Sequence, residues 1–393
     1  MFEWVAVLKV IGVLTAAIWC LSWCRAWWHS RQYLDIPVNI LLEEEDLSGV
    51  PPLTVLIPAC NEAASIESTA LGLLGQSYPN LQLIFINDRS TDETGEIIDR
   101  LAVQNERITA IHIETLPDGW LGKVHALHVA TAQASGEWLL YTDADVQFEP
   151  NALVELMQFA QSHEIDHLAG LPRMKPAGVL IEIAIAAFYT SSMFFVSAKR
   201  VANVDDPLAV GVGALNLVRA SALKQTEGFE WLKMETIDDV GLGLMMKRGG
   251  GRPLVARAGK QISLHWYQNI TEMAGGLEKN SPGLTKYSLI RAFGLLAILP
   301  VTLFGFVCTL FLPAIGVVTV WAAAIMFPML FMSAFSRQSS LSRMSFFLFP
   351  VGLAMLWFIF ARALILLWSR GGVQWRGTQY GIEQLRNGQR LEL

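Results

Sequence analysis

The chain has 393 residues, 53% of them hydrophobic and 16% charged, with a formal net charge of −6. A mean hydropathy of +0.39 is too apolar for an ordinary soluble enzyme, so part of the chain is expected in a membrane, and the acidic balance gives no sign of a nucleic-acid partner. The cysteines (Cys20, Cys24, Cys60 and Cys308) are scattered with no Cys-x-x-Cys pattern, which argues against a disulfide framework and a cysteine-based zinc site.

Residues 1–28 read as a transmembrane anchor: the run 5–23 is apolar apart from Lys9, close enough to one end to snorkel toward headgroups. Trp19, Trp23, Trp27 and Trp28 supply an aromatic belt. Arg25, His29 and Arg31 follow, and positive flanks place what comes next in the cytoplasm. A polar linker over 29–52, with Glu43-Glu44-Glu45-Asp46 and Pro51-Pro52, leads into a soluble unit at 53–268.

That unit alternates strand and helix signals. Strands are predicted at 53–59, 81–87, 108–113, 138–142, 167–171, 211–219 and 262–267, the last of the chain. Helices are predicted at 63–74, 92–102, 123–134, 151–161 and 238–247. Repeated strand-helix units imply an α/β fold with a mostly parallel, doubly wound sheet, which binds ligands at the carboxyl ends of its strands. The run 179–196 is very apolar yet contains Glu182, and its length suits either the core or the membrane surface.

A connector at 269–291 is expected to be amphipathic and interfacial. A membrane segment at 292–368 follows, with runs at 292–312, 314–334 and 346–368, and then a basic tail at 369–393. Strict alternation across three further spans sends the tail outside. Its Arg370, Arg376, Arg386 and Arg390, like Arg337 and Arg343 in the preceding loop, favour the cytoplasmic side. The two readings conflict unless one run is re-entrant or interfacial rather than spanning, and the proline-interrupted ones (Pro300, Pro313, Pro328) are the candidates.

The chemistry concentrates at predicted strand ends. Leu139-Leu140-Tyr141-Thr142-Asp143-Ala144-Asp145 is an apolar run closing in two carboxylates one residue apart. If the strand continues through them, Asp143 and Asp145 face the same way, a pair of hard oxygen ligands suited to Mg2+ or Mn2+ with room for a substrate's phosphates. The first two strands end in Ile57-Pro58-Ala59-Cys60-Asn61-Glu62 and Asn87-Asp88-Arg89-Ser90-Thr91-Asp92. Glu62 and Asp92 also suit helix caps, and Asp88 a turn. In Gly119-Trp120-Leu121-Gly122-Lys123 the glycines allow close backbone approach, and the lysine either meets a phosphate near a helix start or is a solvated surface residue.

Together these residues resemble a family 2 glycosyltransferase of GT-A fold over about 53–268, from the Pro58–Glu62 and Asn87–Asp92 stretches through Asp143-Ala144-Asp145 to Thr236-Ile237-Asp238-Asp239. The Gly119–Lys123 element and the flanking apolar segments are most similar to the branch that glycosylates membrane lipids. The resemblance implies that Pro58, Glu62 and Asp88 surround the donor nucleoside, that Lys123 touches the diphosphate, and that Asp143 and Asp145 hold donor and metal, with His265 as a weaker third metal ligand. It also implies that the Asp238-Asp239 pair supplies the base through Asp239, with inversion; the alternative for one member is helix capping. Donor and acceptor are then a UDP-sugar and a membrane lipid (hopanoid, ceramide, diacylglycerol or carotenoid), at the cytoplasmic face of a multi-pass membrane protein. Polyprenyl-phosphate transfer and polysaccharide synthesis are the alternatives within the family.

The chain departs from the family pattern in having Asn87 before Asp88 and no Gln-x-x-Arg-Trp motif, the mark of processive synthases, so single-sugar transfer is favoured. The tail element Trp375-Arg376-Gly377-Thr378 resembles one found in lipid-modifying relatives. A competing class comes from His163-Glu164-Ile165-Asp166-His167, a literal His-Glu-x-x-His and therefore a membrane zinc metalloprotease if both histidines project from one helix.

Overall fold

The computed structural model describes residues 2–38, 47, 49–335 and 341–391. The linker acids Glu43, Glu44, Glu45 and Asp46, and Arg337, lie outside the described residues. Eight strands form the main sheet: β1 (Leu34–Asp35), β2 (Leu53–Ala59), β3 (Leu81–Asp88), β4 (Ile108–Ile113), β5 (Trp138–Tyr141), β7 (His167–Leu171), β9 (Asn216–Arg219) and β10 (Pro253–Arg257). Their order is β1-β10-β7-β9-β5-β2-β3-β4. All neighbours are parallel except around β9, which runs antiparallel to both β5 and β7. A small second sheet joins β6 (Gln147–Phe148), β8 (Arg173–Met174) and β11 (Ile262–Leu264), and a terminal hairpin pairs β12 (Gly372–Trp375) with β13 (Thr378–Gly381).

Both faces of the main sheet are covered, so its strands are continuous apolar runs rather than alternating ones. Val55, Ile57, Leu83 and Phe85 enter one core, while Leu56, Ile84 and Ile86, pointing the other way, enter a second. The order of elements confirms an α/β, mostly parallel GT-A-like sheet.

Three strand expectations need correction. The signal over 211–219 becomes a strand only at Asn216, because 210–213 leaves the sheet to lie on the helix Asp238–Arg248; a Cβ on Gly211 would collide with the Asp239 carbonyl. β10 was not anticipated, yet it pairs with β7 over five residues. The stretch 262–267 is extended only to Leu264, and it is not the last strand, because the basic tail folds into β12 and β13.

Among the described residues, four helices are long and apolar enough to cross a membrane: Glu3–Ser30, Leu289–Phe311, Ala314–Phe331 and Phe349–Arg370. Gly12 and Gly305 let the first two approach closely, with Thr309 against Gly12 and Thr15 against Gly305. The connector contains an amphipathic helix, Ile270–Asn280, capped by the Asn269 side chain, which accepts the Glu272 N–H. The apolar run after β8 is the helix Val179–Phe195, packed along Phe349–Arg370.

Candidate active site

The carboxyl ends of β2 and β5 and the start of the helix Asp238–Arg248 meet at one cleft, whose lining includes Pro58, Lys123, Thr142, Gly213, Asp238 and Asp239. Pro58 is tolerated inside β2 because β5 pairs only as far as Leu56, leaving that edge free where the N–H is missing. Beyond it Asn61 takes a left-handed conformation (φ 60°) and its side-chain oxygen accepts the Thr91 N–H at 2.8 Å. This joins the loops after β2 and β3. Asp92 is a cap, accepting the N–H groups of Thr94 and Ala63. Glu62 is not one: its carboxylate meets Arg376 Nη2 at 3.1 Å.

At the end of β3, Asp88 is buried and held by its own neighbour, with Arg89 Nε and Nη2 donating at 2.8 and 3.1 Å. Gly122 makes room for this fork, since a Cβ there would strike both side chains. Lys123, one residue on, lies between two acids: its Nζ is 2.7 Å from Asp143 Oδ1 and 3.3 Å from Asp238 Oδ2. The lysine expected at a diphosphate is thus an ion-pair hub within the site, and although burial opposes its charge, Asp143 and Asp238 hold its pKa above the usual value.

β5 stops at Tyr141, so Asp143 and Asp145 stand in the turn after the strand rather than on it. Thr142 anchors that turn, its Oγ1 donating to the Ala214 carbonyl at 2.8 Å. Burial, reinforced by the charges of Asp143 and Glu62, pushes Asp145 up to about 7. His265 is exposed beyond the end of β11. Among the described residues no group of three or more His, Cys, Asp or Glu side chains stands ready to hold a metal. Asp143 and Asp145 nevertheless offer the hard oxygen donors that a divalent cation takes, and the charges of Asp143 and Glu62, which together with burial make Asp145 hold its proton, are what such a cation would offset.

The two members of the acidic pair differ in proton affinity. Asp238 keeps its charge: burial alone would raise its pKa, but Lys123 and Lys279 outweigh it and hold the carboxyl below the ordinary range. Asp239 goes the other way, burial and the neighbouring Asp238 charge raising it to about 6. Its Oδ2 accepts the Gly213 N–H at 3.0 Å and its Oδ1 accepts the Val240 N–H at 2.9 Å. Asp238 is thus held as a carboxylate between two lysines, while the proton affinity of Asp239 lies close to neutral pH.

Sequence reasoning missed Lys279, whose Nζ is 3.3 Å from Asp238 Oδ1 and 5.5 Å from the centre of the Trp375 ring. It also missed the Gly213 N–H and placed Trp375 and Arg376 nowhere in particular. Arg376-Gly377, between two four-residue alternating stretches, was the available hairpin signal. Arg89 Nη1 donates to Thr378 Oγ1 at 3.4 Å, which ties the hairpin to β3.

The zinc site does not form. The helix Ala152–Ser162 ends before His163, Glu164 turns left-handed (φ 49°), and His167 opens β7, buried with Nε2 3.0 Å from Asn216 Oδ1. The two histidines belong to different elements. His125 and His128 pack against Trp120.

Residues 54–225 match the family described as Glycosyl transferase family 2. The chain is similar to a probable glycosyltransferase, YdaM, of Bacillus subtilis (32% identity, covering 32% of this chain and 30% of the relative). It is also similar to a poly-beta-1,6-N-acetyl-D-glucosamine synthase of Staphylococcus epidermidis (26% identity, 48% of this chain and 44% of the relative). These matches span less than half the length of either relative. In fold it resembles a mannosyltransferase from Pyrobaculum calidifontis solved with GDP-Man and Mn2+, with TM-score 0.53 and 17% identity over 92% of this chain and 99% of that one.

Proposed function

We propose that this chain, whose residues 54–225 match Glycosyl transferase family 2, transfers a single sugar, with inversion, from a UDP-sugar to a membrane-lipid acceptor at the cytoplasmic face. The catalytic unit we assign is 53–268, carried by the apolar helices on either side. The observation that carries the reading is Asp239, a half-buried residue whose carboxyl is raised to about 6 and aimed by two backbone N–H groups.

In the reaction Asp239 takes the proton of an acceptor hydroxyl. The freed oxygen forms a bond to the anomeric carbon as the bond from that carbon to the diphosphate oxygen breaks, and the electron pair leaves with UDP. Attack opposite the leaving group inverts the centre. Lys123 pairs with Asp143 and Arg376 with Glu62, and these two cations supply positive charge for the diphosphate. Asp143 and Asp145 would hold a divalent ion, Mg2+ or Mn2+, which supplies charge neutralisation for the departing diphosphate; a mannosyltransferase of similar fold was solved with Mn2+. Pro58, Glu62 and Asp88 border the nucleoside, with Asp88 already oriented by Arg89.

The full chain in lipid nanodiscs, given UDP-sugars and Mn2+, is expected to release UDP and yield a glycolipid. Asp239→Asn should lower turnover at least ~100-fold, the range of a lost general base, with little change in donor binding. Unchanged turnover overturns the role of Asp239. One curated relative is a polysaccharide synthase, so product length is the second readout: one sugar per lipid supports the proposal, and a polymer supports processive synthesis.

A further inference from the structure

Parity is the difficulty with four crossings. The tail that follows Phe349–Arg370 lies on the catalytic domain: Arg376 on Glu62, the Arg386 guanidinium on the Tyr287 carbonyl, and the Arg390 N–H on Glu235. The segment before Leu289 lies there too, with Tyr287 in the core below the sheet. An even number of crossings must therefore separate the two.

The depths of the helices along Phe2–Ser30 show which one does not cross. Thr309 sits against Gly12, eighteen residues from Ser30 and so about 27 Å along the axis. That is close to the full hydrocarbon thickness of about 30 Å. Leu289–Cys308 thus runs the whole way, and Ala314–Phe335 returns, the Trp19 indole donating to the Ala324 carbonyl and Phe331 packing on Trp23. Phe349 also packs on Trp23, at 5.1 Å between ring centres. Trp23 is seven residues from Ser30, only about 10 Å along the axis.

From there Phe349–Arg370 stays with the catalytic half. Gly352 closes on the Ile183 carbonyl, and Arg362 and Arg370 each reach one oxygen of the buried Glu278 at 2.9 Å. Val351, Phe358 and Ile365, seven residues apart, are 48%, 67% and 67% exposed and form a single apolar stripe. Arg362, on the same side as Phe358 and Ile365 and near the middle of the helix, is paired with Glu278 of the catalytic half. A crossing helix would carry that charge toward the centre of the hydrocarbon, whereas a helix lying in the interface keeps it at the edge.

We propose that Phe349–Arg370 is not a fourth span but a monotopic helix, its Val351/Phe358/Ile365 stripe resting in the interfacial layer of the leaflet that faces the catalytic domain. The crossings are then one by the first helix and two by the hairpin Leu289–Phe335, and the catalytic domain and tail share a side. The inference is independent of the sugar-transfer chemistry.

The test uses the full chain in sealed right-side-out and inverted vesicles, with an impermeant maleimide and the unsubstituted protein as background. Single substitutions Val103→Cys, Ala314→Cys, Arg343→Cys and Glu383→Cys are all at exposed positions outside the site. Arg343 and Glu383 flank the helix and should label from the same side as Val103, with Ala314 labelling from the other. Arg343 and Glu383 labelling from opposite sides overturns the proposal. As a second readout, nitroxides at 351, 358 and 365 should report the same shallow depth from oxygen and nickel-chelate collisions; a maximum at mid-bilayer for 358 would be the signature of a span and would reject it.

Discussion

Asp145 and Asp239 are both carboxyls with raised proton affinity, burial being the main cause in each, followed by a neighbouring acid. For Asp145 the consequence reaches stability. Its pKa moves from 3.8 to about 7 on folding, so the folded state holds the proton more tightly than the unfolded state. The contribution is fully present below about pH 4 and lost as pH rises through 7. Asp145→Asn, which cannot ionise, should therefore raise the thermal midpoint at pH 8 in EDTA, and the gain should vanish near pH 4. An equal shift at both pH values would show that the substitution acts through packing instead. In the wild type, Mn2+ at pH 8 should restore part of the loss, because a bound cation favours the ionised form.

Among the elements, the terminal hairpin does most to complete the site. Its turn places Arg376 at φ 45° and Gly377 at φ 80°, both positive as a two-residue hairpin turn requires. Glycine takes that conformation freely, whereas arginine there costs about 1 kcal/mol. The cost is offset by the ion pair across to Glu62, a residue 314 positions away. Because Arg376 is the cation that the hairpin adds, Arg376→Ala should raise the KM for the UDP-sugar about tenfold, the worth of one charge-assisted hydrogen bond. Turnover at saturation should fall much less, and Arg376→Lys should recover part of the affinity. A loss confined to turnover would instead place Arg376 at the reacting atoms. The hairpin itself should stay in place, since Arg89 still grips Thr378.

At the scale of the whole molecule, the helix Ile270–Asn280 connects the membrane-facing layer to the chemistry. On adjacent residues, Glu278 holds Arg362 and Arg370 while Lys279 holds Asp238. Glu278→Gln removes the charge that two arginines share, so Phe349–Arg370 should separate from the catalytic domain. Limited proteolysis of the tail should accelerate, and turnover should drop at least ~10-fold, on the order of 1.4 kcal/mol, although Glu278 touches neither Asp238 nor Asp239. Tail protection and turnover that both match wild type would show that the helix is held by Gly352 and its apolar contacts alone.

The sequence by itself determined the parallel strands from β2 to β5, together with β7, and the candidate acids, but not β1, β10 or where β9 begins. The stretches 53–59, 108–113 and 167–171 coincide with β2, β4 and β7, because a strand buried on both faces is a local property: a short apolar run between turn residues. Asp143, Asp145, Asp238 and Asp239 were likewise legible from their positions after such a run and at a helix start. What only the tertiary structure decided is what neutralises and aims them. Lys279, the Gly213 N–H and Arg376 reach their partners across 41, 26 and 314 positions, and no periodicity of two or of 3.6 residues carries information over such separations. The same limit explains the membrane segment. Hydropathy measures whether Phe349–Arg370 is long enough to cross, whereas its course follows from Glu278, Ile183 and Trp23, neighbours that only the folded chain brings to it.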